Sequence, residues 1–348
     1  MKNESTNDIK RFTPISNFGR PDLDFLKKSI WVYFILLIFE GALRKWFLPG
    51  LSFPLLIVRD PVALFIVLTT WRYGLLPLTP YLFVTIFVGI ICIFTALFLG
   101  HGSLPVALFG ARIFLLHFPL IFAIGSIFTF DDVVKMGRVT LLISIPMTVL
   151  VFLQFYSPQS AWVNRGVGGA LEGAGFSGSG DFMRPPGTFS FTNGNTLFYS
   201  FTTPFIIYFS LNANKINKIV LLGSVIALIF AVPLSISRSL FFQVIISLLF
   251  TFMAIARKPE NVGKILGFLV IGMVALVALS TIGSFQTATQ AFTDRFETAN
   301  EVEGGLNGVL LDRYLGGMIE AIQNSSELPF FGAGLGMGTN VGSSLLTG

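Results

Sequence analysis

Charge is scarce in this sequence. Only 12% of its 348 residues are Asp, Glu, Lys or Arg, about half the roughly one quarter usual in soluble domains. Cysteine is scarcer still. The single Cys92 lies inside an apolar run, which excludes an intrachain disulfide and a cysteine-based metal site. There are two histidines, His101 in "GHGS" and His117 in "GARIFLLHFPL". With no HExxH, CxxC or clustered acidic motif, nothing in the residues calls for a metal or another cofactor. Residues 1–28 are polar and charged and lack an early apolar core with a small-residue cleavage site, so a removable signal peptide is not expected there.

What is present instead is apolar length. Hydrophobic residues make up 53% of the chain, 39 of them Phe, and the mean hydropathy is +0.77. Apolar runs of roughly 20 residues, the length that crosses a bilayer as a helix, recur along most of the sequence. Nine spans are predicted, near 30–48, 52–70, 79–99, 105–128, 139–157, 195–211, 217–235, 238–256 and 264–283. Only a helix satisfies every backbone group within its own segment in lipid. The expected fold is therefore all-α, a polytopic transmembrane bundle whose first partner is the lipid bilayer. It divides into a cytoplasmic tail (1–28), a transmembrane domain (29–283) with an outer glycine-rich loop at 158–194, and an extracytoplasmic segment (284–348). No solenoid repeat is evident.

The net charge of +5 reads as topology, not as nucleic-acid binding. With the amino terminus inside and spans alternating, 14 of the 23 cations fall on cytoplasmic segments, as the positive-inside rule requires. The 158–194 loop, the 234–238 turn and residues 283–348 then share the exterior side. In the last of these, Leu310, Leu311, Tyr314, Leu315, Met318, Ile319 and Ile322 form a helical stripe, with Asp312, Arg313 and Glu320 mostly off it. That pattern suits a helix lying on the bilayer or packed over the membrane domain.

Several charges stand where apolar residues dominate. Arg184, in "GDFMRPPGTFSFTNGN", is followed by Pro185, Pro186 and Gly187. The prolines stiffen the backbone and turn Arg184 away from helix. A guanidinium held there can grip a phosphate bidentately, or snorkel beside a flexible loop. Arg238, in "PLSISRSLFF", is flanked by Ser235, Ser237 and Ser239, which suit either an anion site or simple helix capping. In the first two spans Glu40 and Arg44 are four apart, and Arg59 adjoins Asp60. Central intramembrane charges cost about 2.5–3.5 kcal/mol each, so these four are expected to form a structural ion network. Arg112 is a candidate third cation for an anionic head group. His117, five residues on, should point about 140° away on an α-helix and read as an interior, hydrogen-bonded histidine. His101 should be solvated. The glycine strings "RGVGGALEGAG" and "GAGLGMG" lack the strand–turn–helix context of a nucleotide site.

"RPPGTFSFTNGN", "SISRSLFF" and "DRYLGGMIEAIQNSSELPFFGAGLGMG", in that order across residues 180–340, resemble the O-antigen ligase and O-antigen polymerase superfamily of bacterial membrane glycosyltransferases. "FEGALRKWFLPGLSFPLLIVRDP" looks like a subgroup signature without assigned chemistry. The resemblance implies a metal-independent, cofactor-free enzyme of the bacterial cytoplasmic membrane. It would transfer or polymerise glycan from an undecaprenyl-diphosphate-linked donor to a saccharide or lipid-glycan acceptor, in surface polysaccharide biosynthesis. Arg184 and Arg238 would bind the donor diphosphate. The resemblance implies a general base, an exterior-loop histidine beyond the glycine string; neither His101 nor His117 matches it, so the expectation is either a chain that continues past Gly348 or an enzyme that lacks that base. Two rivals belong to other classes. One is a flippase for lipid-linked glycans, with its arginines in a central cavity. The other is a non-catalytic scaffold of a polysaccharide assembly, with its arginines paired to carboxylates.

Overall fold

The computed structural model describes residues 22–256, 262–303 and 315–324, together with 332, 334–337, 339, 342, 345 and 346. It is largely helical. The helices are α1 (Leu23–Ala42), α2 (Ser52–Leu55), α3 (Asp60–Arg72), α4 (Pro80–Phe98), α5 (Leu104–Arg112), α6 (Phe118–Ile127) and α7 (Phe130–Tyr156). After a glycine-rich loop come α8 (Thr192–Leu211), α9 (Lys218–Leu234), α10 (Arg238–Ala256), α11 (Val262–Leu279), α12 (Gly283–Glu303) and α13 (Gly317–Gln323). The loop is not purely irregular: β1 (Phe176–Ser179) and β2 (Phe182–Arg184) form an antiparallel hairpin with Phe176 opposite Arg184.

Among the described residues, four helical stretches are long and apolar enough to cross a membrane: Pro49–Arg72, Pro80–Phe98, Leu104–Ile127 and Phe130–Tyr156. A fifth is counted if Gly272–Leu279 and Gly283–Thr298, bent by 102°, make one broken span. Against nine expected spans, four, or five with the bent pair, meet that length and composition among the described residues. Helix α9 has 17 residues, about 25 Å at helical rise against a hydrocarbon core of about 30 Å.

The chain divides into two compact units. The first comprises Met1–Ile35, Ile57–Thr129 and Leu310–Gly348. Prolines open most of its helices, at positions 61, 80, 105 and 119 within the first turn, where a missing N–H costs no helical hydrogen bond. Between α5 and α6 the helix loosens into a π turn, Ile113–His117, closed by Phe118 N–H donating to Ile113 O. Gly89 lets α4 approach that turn: a Cβ there would lie 2.9 Å from Leu115 Cδ2.

The second unit comprises Leu36–Leu56 and Phe130–Val309. Helix α7 runs through it against α8 and α9. Val134, Leu141, Ile206, Phe209 and Val225 form one buried cluster among the three. Hydroxyls bind the same helices across their faces: Thr148 Oγ1 and Tyr199 OH are 2.6 Å apart, and Ser224 Oγ donates to Leu141 O at 3.0 Å. Small and hydroxylated residues in such seams supply the interhelical attraction that lipid cannot.

At one end of this unit the C-termini of α7 and α9, the N-termini of α8 and α10, and the hairpin are gathered under α12. Helix α12 is amphipathic. Phe285, Ala288 and Ala291 are buried, and Phe285, Phe292 and Phe296 meet Phe230 and Phe241 edge-on or tilted. The tail 1–28 falls mostly outside the described residues, as do Leu310, Leu311, Asp312, Arg313 and Tyr314 of the expected exterior stripe. The described remainder of that stripe, Leu315, Met318, Ile319 and Ile322, is exposed.

A candidate anion site built from three arginines

One core cluster places the site. Val151, Phe155, Leu234, Ile236, Ala288 and Ala291 are buried together, with Phe182 packed against them. Three separate elements each give this cluster an apolar residue and, beside it, an arginine. On β2, Phe182 and Arg184 are two apart and so share a face; Phe182 stacks on Phe155 at 4.5 Å. In the turn between α9 and α10, Ile236 precedes Arg238 by two. On α12, Arg295 follows Ala291 by four and Ala288 by seven, which puts all three on one helical face.

Arg184 consequently feels the charges of both Arg238 and Arg295. Burial, then the like charges of Arg295 and Arg238, push the Arg184 guanidinium below its ordinary value. Its Nε is buried with no hydrogen-bond partner among the described residues. Neither Arg184 nor Arg295 forms a salt bridge there. Arg238 is the first residue of α10. Ser237 caps that helix, its Oγ accepting from Leu240 N–H at 3.3 Å and from Thr196 Oγ1 at 3.2 Å. A helix amino terminus carries partial positive charge, so a cation there adds repulsion unless an anion is present. Ile236, at φ 45°, is a β-branched residue in the left-handed region, a strain of order 1–3 kcal/mol that its burial at 2% exposure holds in place.

The turn after Arg184 is clamped from several sides. Lys45, 0% exposed, sits in a π turn, Leu43–Phe47. Its Nζ donates to Gly187 O at 2.6 Å and Phe189 O at 2.8 Å. Gln154 reads both sides of Gly187, accepting from its N–H at 2.8 Å and donating to its carbonyl at 3.1 Å. Thr188 Oγ1 donates to Ile38 O at 2.6 Å, and Asn195 Nδ2 to Pro185 O at 3.3 Å. Arg44 donates to Ser190 Oγ at 3.0 Å and to Ser52 O at 2.7 Å. The segment "FEGALRKWFLP" thereby acquires a role: it fixes the backbone that carries Arg184.

For the residues expected in a structural ion network, Glu40, Arg44, Arg59 and Asp60, two pairings can be described within the units. Glu40 meets Arg44 at 3.4 Å in the second unit. In the first unit Asp60 holds Arg112, Nε to Oδ2 at 2.6 Å and Nη2 to Oδ1 at 2.7 Å. Arg112 is thus held bidentately by a carboxylate. His117 also reaches Asp60, at 3.4 Å, and its Nδ1 lies 3.1 Å from Tyr33 OH. The expected divergence of Arg112 and His117 assumed an α-helix. The intervening π turn, with its i→i+5 hydrogen bond, brings residue i+5 back over residue i.

His101 is half-buried, not solvated. Ser103 N–H donates to its Nδ1 at 3.0 Å, and its Nε2 lies 2.9 Å from Leu335 O, which fixes the Nε2–H tautomer. The glycine string it meets is pressed onto α4 and α5. A Cβ on Gly334 would lie 2.3 Å from Ala96 Cα, and one on Gly336 2.2 Å from Val106 O. The glycines are there for close approach, not for a nucleotide.

Arg295, Lys45 and Gln154 are the site residues that sequence reasoning missed. Arg295 had a legible signal, the 288–291–295 spacing on a helix with Phe at 285, 292 and 296. No family model matches this chain, and neither a curated protein nor a solved structure does.

Proposed function

We propose that the chain is a glycosyltransferase of the O-antigen ligase and polymerase type, acting on an undecaprenyl-diphosphate-linked glycan donor. On this reading it sits in the bacterial cytoplasmic membrane with its amino terminus in the cytoplasm. Helices α1, α8, α9, α10 and α11 add to the four long spans to make nine, and the arginine-bearing end faces outward. The acceptor is a saccharide or lipid-linked glycan whose hydroxyl oxygen attacks the anomeric carbon. The bond to the diphosphate breaks with its electron pair on the phosphate oxygen, and the hydroxyl proton passes to a base. Cations aimed at that oxygen stabilise the charge as it develops.

One observation carries the reading: Arg184 and Arg238, 54 positions apart in the chain, both flank the same buried cluster at one end of the second unit. The absence of a salt bridge to Arg184 among the described residues speaks against the scaffold, which needs its arginines on carboxylates. Their place at helix ends and in a hairpin speaks against the flippase, which needs them in a central cavity. Neither described histidine offers an unengaged ring nitrogen as the base.

The test is transfer in membranes carrying the protein with lipid-linked donor. Arg184→Ala and Arg238→Ala should each lower transfer by about 10²–10³-fold, the usual effect of removing one positioned charge-stabilising donor, with membrane insertion unchanged. Full activity in both variants overturns the assignment. In liposomes, movement of labelled lipid-linked sugar without a new glycosidic bond favours the flippase.

A further inference from the structure

We propose that Arg295, on α12, is a third binding residue of this site, and that the three guanidinium groups together take a diphosphate and not a lone phosphate. The ligand class rests on the transferase reading above; the convergence of the three side chains does not.

The placement follows from packing. Ala288 and Ala291 seat one face of α12 on the cluster that also holds Ile236, and Phe182 packs on it. Arg295 is the next residue along that face and is half-buried. The neighbouring carboxylates of α12, Asp294 and Glu297, lie on exposed positions. Arg295 thus adjoins the same cluster as Arg184, whose charge it repels and whose buried Nε has no partner among the described residues. Seating a cation against a buried cation destabilises a fold unless something binds between them.

A diphosphate suits this arrangement better than a phosphate. A guanidinium pairs bidentately with two phosphate oxygens, so three of them match the oxygens of two phosphoryl groups better than those of one. When a sugar leaves its lipid diphosphate, the diphosphate gains one negative charge. A third cation beyond the two that hold the donor favours that later state, which is how binding energy lowers a barrier. Function here competes with stability, since the ligand-free protein carries the repulsion.

The experiment uses the full chain in detergent at fixed ionic strength, with inorganic pyrophosphate, inorganic phosphate and a polyprenyl diphosphate as probes. Wild-type protein should bind pyrophosphate at least tenfold tighter than phosphate, and the polyprenyl diphosphate tighter still. Arg295→Gln should lose about tenfold in pyrophosphate affinity, about 1.4 kcal/mol, while its ligand-free melting temperature stays level or rises. A purely structural arginine gives the reverse: a lower ligand-free melting temperature. Arg295→Lys, which keeps the charge but not the fork, should fall between. The proposal is overturned if wild-type protein binds neither anion, if phosphate binds as tightly as pyrophosphate, or if Arg295→Gln binds as wild type. Failure of the two readings is separable. Loss of pyrophosphate binding in Arg295→Gln, with no sugar transfer by wild type, keeps the anion site and removes the transferase. Sugar transfer with binding unaffected by Arg295→Gln keeps the transferase and removes Arg295.

Discussion

Gly41 lies in α1 against the backbone that follows Arg184. A Cβ at this position would be 2.4 Å from Ser190 N and 2.5 Å from Thr188 O, and backbone atoms cannot swing aside as a long side chain can. Gly41→Ala should therefore destabilise by about 1–3 kcal/mol, the range for overpacking. Lys45→Met takes the Nζ donor from Phe189 O while Gly187 O keeps Gln154. An orphaned buried carbonyl costs about 1–3 kcal/mol. Both variants should lower the ligand-free melting temperature and weaken pyrophosphate binding together, because the turn that presents Arg184 loosens. A variant that loses stability but binds pyrophosphate normally would show that the clamp and the site are independent. At this scale the sequence displayed the groups without their pairings. Arg184 and Arg238 stood out because a cation beside apolar residues demands a reason. Lys45 offered the same signal, but its partners are carbonyls 142 and 144 positions away, and no local spacing encodes a carbonyl.

Helices were the most legible feature, since apolar length and helical period are local properties. What escaped were departures from α geometry. The π turn at Ile113–His117 leaves no mark in composition, yet it decides that Arg112 and His117 converge on one carboxylate. The consequence can be measured. Breaking a fully buried pair by removing one partner costs about 3–5 kcal/mol; with Arg112 and Asp60 20% and 18% exposed, Asp60→Asn should cost somewhat less. Adding Arg112→Gln to Asp60→Asn should recover part of the loss, because the second change removes the stranded cation, and coupled neighbours are not additive. Strict additivity in thermal melts would mean that the pair contributes nothing. Helix α12 escaped for another reason. Its polar residues placed it with an exterior loop, although Phe285, Ala288, Phe292 and Phe296 keep the spacing of a helix with one apolar face. Its bend of 102° from the preceding helix is what brings Arg295 to the site.

For the whole molecule, the question that charge counting raises is which way the arginine end faces. Helix α8 has 20 residues, about 30 Å at helical rise, so the segments at its two ends lie on opposite sides of any bilayer it crosses. Asp181, in the hairpin turn before α8, and Asn214, after it, are both exposed. The only native cysteine is Cys92, so Cys92→Ser gives a background in which a single thiol can be placed at will. In intact cells a membrane-impermeant maleimide should label Asp181→Cys and spare Asn214→Cys, which should react only after the membrane is opened. The reverse pattern would turn the three arginines toward the cytosol. Transfer from a donor whose sugar is displayed outside would then be impossible at this site, whatever anion it binds. The same pattern would also overturn the count of cations that set the amino terminus inside, because both rest on α8 running inward from its first residue.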